Sequence, residues 1–229
     1  MSMKSDNAGC ILIPAFNEAS RVGTVIKDVK KFCTNVVVVD DGSADDTAAA
    51  ARAAGADVLV QPHNMGKGAA LERGFAYARE KGFEYVITMD ADGQHAADDI
   101  PGFIKAYRES GAPVIIGNRM ADTGSMPLIR RWTNRFMSWL LSRKMGQRVP
   151  DTQNGFRLYR TDVIPHMRVG TQGFAAESEI LLELAAGGVR IGAVPIKVIY
   201  RDEKSKINPF KDTWRFFSML RNWKQQEKS

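Results

Sequence analysis

Short polar clusters recur at the ends of apolar runs in the first part of this chain. CILIPAF (Cys10–Phe16) leads into Asn17-Glu18, the valines of 36–39 lead into Asp40-Asp41-Gly42-Ser43, and VITM leads into Asp90-Ala91-Asp92-Gly93-Gln94. Asp, Gly and Ser suit turns and helix caps, so Asp41 or Ser43 could cap a helix starting near Asp45. Capping does not account for Asp90 and Asp92. Two carboxylates at i and i+2 after a strand can share one hard divalent cation, whose shell a diphosphate would complete. Asn64-Met65-Gly66-Lys67-Gly68 adds a matching anion site: glycines expose backbone N–H groups at a helix start, and Lys67 adds charge. Neither GxxxxGK[ST] nor GxGxxG is present.

The elements that must position these residues alternate regularly. Cys10–Phe16, Val36–Asp40, Asp57–Val60, Tyr85–Asp90 and Pro113–Arg119 read as strands; Ser20–Phe32, Asp45–Ala54, Gly68–Arg79 and Asp99–Arg108 read as helices between them. Such alternation with short connections predicts a doubly wound, mostly parallel sheet with flanking helices, whose ligands bind at the carboxyl ends of the strands. Beyond residue 120 the pattern loosens. A helix is expected over Leu128–Met145, a loop over Gly146–Asn154, a short strand over Gly155–Tyr159, a helix near Glu177–Ala186, a strand over Ile191–Tyr200 and an amphipathic helix over Phe210–Trp223. No linker divides the chain, so residues 1–229 read as one domain: a binding half (1–120), an acceptor-side half (121–206) and the C-terminal helix (207–229).

With 229 residues, 44% hydrophobic and 25% charged, the chain is long enough to bury a core. Two cysteines exclude a disulfide framework, three dispersed histidines form no metal-binding cluster, and no run reaches the ~20 apolar residues of a membrane span. The polar N-terminus does not read as a signal peptide, so a cytoplasmic setting is expected. The net charge of +6 is unevenly spread. Thr123–Pro150 holds Arg130, Arg131, Arg135, Arg143, Lys144 and Arg148 with no acid, and the chain is basic again from Lys204 onward. Trp132, Phe136 and Trp139 fall in the first segment; Phe210, Trp214, Phe216, Phe217 and Trp223 fall in the second. Basic, aromatic helices suit an anionic membrane surface. No nucleic-acid motif accompanies them, so nucleic acid is not an expected partner.

IPAFNE, VVDDGSADDT, NMGKGAALERGF, MDADGQH, IIGNR and DTQNGFRLY, in this order, resemble the family 2 glycosyltransferases of GT-A fold, most closely the dolichyl- and polyprenyl-phosphate mannosyl- and glucosyltransferases. The resemblance runs from Gly9 to about Lys206. It implies an inverting, Mg²⁺- or Mn²⁺-dependent transfer of a hexose from a nucleotide-diphosphate-sugar such as GDP-mannose or UDP-glucose. Pro14, Ala15, Asn17, Glu18, Asp40, Asp41, Lys67, Asp90, Ala91 and Asp92 would line the donor. Asp90, Asp92 and Gln94 would hold the metal. Asp92, Arg119 and Glu177 would be the catalytic residues.

The acceptor implied by this branch is a polyprenyl phosphate, met by Arg130, Asn134, Arg201, Ser205 and Lys206 from a peripheral position at the cytoplasmic face of a membrane. Asn134 stands where the branch carries Ser, and Glu203 where it carries Gly. An acceptor phosphate needs no general base. A sugar hydroxyl would need one, and Glu177 is then the candidate; it could equally be an acidic residue favoured at a helix start. Asp151 could position the acceptor or cap a turn. A non-catalytic nucleotide-sugar-binding module is a further alternative.

Overall fold

The computed structural model describes residues 8–121, 128–164, 174–197, 199, 216–218, 220, 221 and 223, with the side chains of 121, 128–130, 174 and 175 outside the description. Seven strands form one sheet: β1 (Gly9–Ala15), β2 (Val36–Asp40), β3 (Asp57–Val60), β4 (Tyr85–Thr88), β5 (Val114–Asn118), β6 (Arg157–Arg160) and β7 (Ile191–Pro195). Their order is β3-β2-β1-β4-β6-β5-β7. The helices are α1 (Ala19–Val29), α2 (Thr47–Ala53), α3 (Lys67–Glu80), α4 (Ile100–Ser110), α5 (Leu128–Met145) and α6 (Phe174–Ala186).

The continuous apolar runs follow from burial on both sheet faces. Ile11, Ile13, Val36, Val38, Tyr85 and Ile87 point into one core with Val22, Ile26 and Val29 of α1 and Phe103 of α4. The alternating Cys10, Leu12, Val37, Val39 and Val86 point into the other, with Leu71 and Phe75 of α3 and Ile180, Leu181 and Leu184 of α6. The doubly wound α/β expectation is met.

One strand breaks the parallel run. β6 lies between β4 and β5 and is antiparallel to both, pairing Thr88 with Arg157 and Ile116 with Arg157 on its two sides. Because β6 runs backward, the loop that enters it (151–156) arrives at the carboxyl ends of β4 and β5, where ligands bind in such folds. Thr88 Oγ1 donates to the Gly155 carbonyl at 2.7 Å and fixes that approach.

The strand expected over Ile191–Tyr200 ends at Pro195. Its backbone then bonds elsewhere: Lys197 N–H donates to Asp99 Oδ2 at 2.8 Å and Ile199 N–H to the Gln94 carbonyl at 2.9 Å. The chain thereby straps the loop that follows Asp92. Near the C-terminus, residues 216–218, 220, 221 and 223 are helical. Phe216 and Leu220 are buried against Met137 and Leu141 of α5 and Leu182 of α6, while Phe217 stays 46% exposed. Docking, and not a free apolar stripe, therefore governs the described part of this helix.

Candidate active site

The turn after β1 places Asn17 in the left-handed region (φ 55°), which Asn tolerates better than most residues. Its N–H donates to Ser43 Oγ at 2.9 Å and its Oδ1 accepts from Ala44 N–H at 2.9 Å. The ends of β1 and β2 are thus one unit. Glu18 N–H donates to Thr47 Oγ1 at 2.8 Å, and the Glu18 carboxylate pairs with Arg21 at 2.9 Å. Pro14 and Ala15 lie on β1, opposite Val39 and Asp40.

Asp40 and Asp41 are buried at the end of β2. Asp40 Oδ1 accepts from both the amide and the hydroxyl of Ser43. Asp41 accepts from Gln61 Nε2 (2.6 Å), Met65 N–H (2.8 Å) and Gly66 N–H (2.8 Å). Asp41 therefore pins the 61–66 segment that delivers Lys67 to the first position of α3. The two ends meet closely: a Cβ on Gly42, whose φ is +69°, would lie 2.4 Å from the His63 carbonyl carbon. The helix cap expected of Asp41 or Ser43 is absent, and Asp45 bonds Thr47 N–H at 3.1 Å instead.

Lys67 Nζ lies 2.5 Å from Asp90 Oδ1 and 2.7 Å from Glu177 Oε1. Burial works to lower its pKa, and the two carboxylates overcome that and raise it. Burial likewise works to raise the Asp90 pKa, but the Lys67 charge prevails and holds it down at about 2. Asp92 behaves differently: burial, and then the charge of Asp90, raise its pKa. Its Oδ1 accepts from Gln94 N–H at 2.9 Å. Ala91 is buried between them.

Behind this cluster stands Arg157, fully buried. It donates to the carbonyls of Asn154 (2.6 Å), Thr152 (2.8 Å) and Glu177 (2.7 Å), and its Nη2 is 4.0 Å from Glu177 Oε2. Gly155 completes the packing, since a Cβ there would fall 2.7 Å from Glu177 Oε1, 3.0 Å from Lys67 Nζ and 3.3 Å from Asp90 Oδ1. His95 accepts from Asp90 N–H through Nδ1 at 3.2 Å and stacks on Phe156 at 5.0 Å. Burial lowers its pKa, so the ring is a neutral support.

Arg119, just past β5, makes a bidentate pair with the fully buried Asp151 at 2.7 and 2.9 Å. Its charge also helps lower the Asp90 pKa. Asn134 is buried on the inner face of α5, one turn before Ser138, whose hydroxyl accepts from Thr152 N–H at 3.0 Å. The outer face carries Trp132 (71% exposed), Phe136 (53%) and Trp139 (53%). The side chain of Arg130, and all of Arg201, Ser205 and Lys206, lie outside the described residues.

The structure thus gathers Lys67, Asp90 and Glu177, sets Asp92 beside them, and brings Arg119 to the same end of the sheet. Arg157, Gly155 and His95 were missed as site residues. The motifs DTQNGFRLY and MDADGQH contain them, but only β6 pairing shows where they point.

Among the described residues, no three His, Cys, Asp or Glu side chains gather into a metal cage. Asp90 and Asp92 are nevertheless an oxygen-only pair whose mutual repulsion a hard cation would relieve, which fits Mg²⁺ or Mn²⁺ with further oxygens supplied by a ligand.

Comparison with known proteins gives the family and the fold. The family description "Glycosyl transferase family 2" matches residues 10–168, and the chain belongs to that family. It is 33% identical over 215 residues to glycosyltransferase AglJ of Haloferax volcanii, covering 92% of this chain and 70% of that protein. It is 30% identical to the dolichyl-phosphate hexose transferase of the same organism, covering 87% and 86%. Glucosyl-3-phosphoglycerate synthase from Mycobacterium tuberculosis, in complex with Mg²⁺ and uridine diphosphate, superposes with a TM-score of 0.69 at 19% identity, over 93% of this chain and 77% of that one. The fold is therefore that of the GT-A glycosyltransferases.

Proposed function

We propose that this glycosyltransferase moves a hexose, with inversion, from a nucleotide-diphosphate-sugar to a polyprenyl phosphate at a membrane surface. The observation that carries the acceptor is that Glu177, the candidate base, and Asp151, the candidate for positioning the acceptor, are both held by cations. Glu177 is buried between Lys67 at 2.7 Å and Arg157 at 4.0 Å, and both oxygens of Asp151 are held by Arg119. An acceptor that is already an anion needs no general base, which leaves both carboxylates to serve as partners of these cations. The related dolichyl-phosphate hexose transferase supports the same acceptor class.

Asn17, Asp40, Asp41 and the backbone they order form the nucleotide side of the cleft. Asp90 and Asp92, with Gln94 beside them, would hold Mg²⁺ or Mn²⁺, which would stabilise charge on the departing diphosphate. Lys67 adds a fixed positive charge there, and Arg119 contributes to the same field. An acceptor phosphate oxygen attacks the anomeric carbon as the sugar–diphosphate bond breaks, the nucleoside diphosphate leaves with the bonding electrons, and no proton changes hands. Arg130, Asn134, Arg201, Ser205 and Lys206 are the proposed acceptor contacts.

Among the described residues no helix is long and apolar enough to cross a membrane. The exposed aromatics of α5 suit peripheral contact with the cytoplasmic face. Phe136 and Trp139 stack at 6.0 Å and Arg143 covers Trp139 at 5.5 Å, a basic, aromatic face of interfacial character.

The test offers polyprenyl phosphate and the matching free polyprenol to the enzyme with GDP-mannose or UDP-glucose and Mn²⁺, with products read by mass spectrometry. Sugar on the phosphate alone is expected. Transfer to the alcohol, or to a glycan hydroxyl in preference to the phosphate, overturns the reading.

A further inference from the structure

Lys67 stands beside Asp90, where the proposed chemistry needs a metal ion. Its two carboxylate partners differ in freedom. The Glu177 side chain is 4% exposed, and Arg157 holds both its backbone carbonyl at 2.7 Å and the neighbourhood of its second oxygen at 4.0 Å. The Asp90 side chain is 29% exposed. Glu177 is thus a fixed anchor and Asp90 an accessible ligand, and one ammonium group spans them.

We infer that Lys67 is a placeholder cation: it competes with the divalent ion for Asp90 and, when donor and metal arrive together, pivots on Glu177 from Asp90 to the donor diphosphate. This rests on the nucleotide-sugar reading of the site and is independent of the acceptor.

Charge supports the exchange. Asp90, Asp92 and Glu177 face Lys67 and Arg157, leaving a slight formal excess of negative charge. A divalent ion entering alone must share Asp90 with an ammonium already held by a second carboxylate. A diphosphate entering alone meets the carboxylates of Asp90 and Asp92 beside Lys67. Arriving together, metal and diphosphate offset each other, and the released ammonium gains an anionic partner without leaving Glu177. Donor-free enzyme should therefore bind the metal weakly.

Gly155 fits this role. With no Cβ, it leaves room for the ammonium and both carboxylate oxygens to meet; a Cβ would lie within 3.3 Å of all three.

The experiment is an electron-paramagnetic-resonance titration of the full chain with Mn²⁺ alone, with melting curves confirming that each variant is folded. Removing the competitor in Lys67→Met should tighten Mn²⁺ binding by about tenfold, within the range that neighbours of metal ligands exert. Glu177→Gln should act in the opposite direction, because Lys67 then turns fully to Asp90. Opposite shifts support the inference, whereas general damage to the site would weaken binding in both variants. Lys67→Met binding Mn²⁺ no tighter than the unaltered chain, or both variants shifting the same way, overturns it. A wrong acceptor assignment would leave this titration unchanged.

Discussion

The carboxyl ends of β1, β2 and β4 and the outer face of α5 are built on opposite plans. At the strand ends, polar groups are committed to one another: Asn17 joins two turns, Asp41 accepts three hydrogen bonds, and Lys67 bridges two carboxylates. On α5, Trp132, Phe136 and Trp139 project outward although the opposite face is anchored by Met137, Ser138 and Leu141. In the first region the polar groups hold one another in place within the fold, so that donor binding need move little besides the Lys67 ammonium. The second leaves three aromatic side chains exposed among the described residues. On the proposed function, the first would set reaction geometry and the second location.

Breaking the first region at its base should produce the largest effect. Arg157→Met strips a buried cation from three carbonyls and from Glu177, and losing one partner of a buried ionic cluster typically costs about 3–5 kcal/mol. Urea unfolding should show that loss, and a midpoint equal to that of the unaltered chain would show that Arg157 does not hold the cluster together.

Gly155→Ala should separate geometry from stability. The added Cβ meets the side-chain ends of Glu177, Lys67 and Asp90 rather than backbone, but the buried Glu177 must give way, so the melting temperature should fall by a few degrees. Displaced charges should lower kcat/KM by about 10²-fold, the scale of a 1 Å misplacement in an active site. A large loss of stability with normal specific activity would assign the glycine to folding alone.

The mildest change should fall on the second region. Replacing Trp132, Phe136 and Trp139 together by Ser leaves the buried face of α5 intact, so stability and donor binding in solution should hold. Cosedimentation with anionic liposomes should drop by about tenfold, as expected for an interfacial helix deprived of apolar area. Unchanged liposome binding would detach α5 from the membrane and move that role elsewhere in the chain.

Legibility in the sequence also differed between regions. The parallel half was readable because each strand is a continuous apolar run closed by a polar cluster; Val36–Asp40 and Asp57–Val60 match their expected bounds. Leu128–Met145 was equally clear as a helix. Which of its faces would be buried was not. Packing against α6 and the 149–152 segment turns the 134, 137, 138 and 141 side of α5 inward and leaves Trp132, Phe136 and Trp139 exposed. Asp41 read as a donor-lining or cap residue; its geometry adds the fastening of the 61–66 segment, a task that depends on a long-range contact.

The sequence by itself determined the doubly wound architecture, through local periodicity, and the family, through the resemblance of its motifs to those of family 2 glycosyltransferases. Only the tertiary structure decided that Lys67 spans Asp90 and Glu177, that Arg157 stands behind them, and that Gly155 leaves them room. Those relations depend on β6 entering the sheet antiparallel between β4 and β5. That placement is chosen by the packing of the whole sheet, and ionic contacts between distant segments form only after it is fixed.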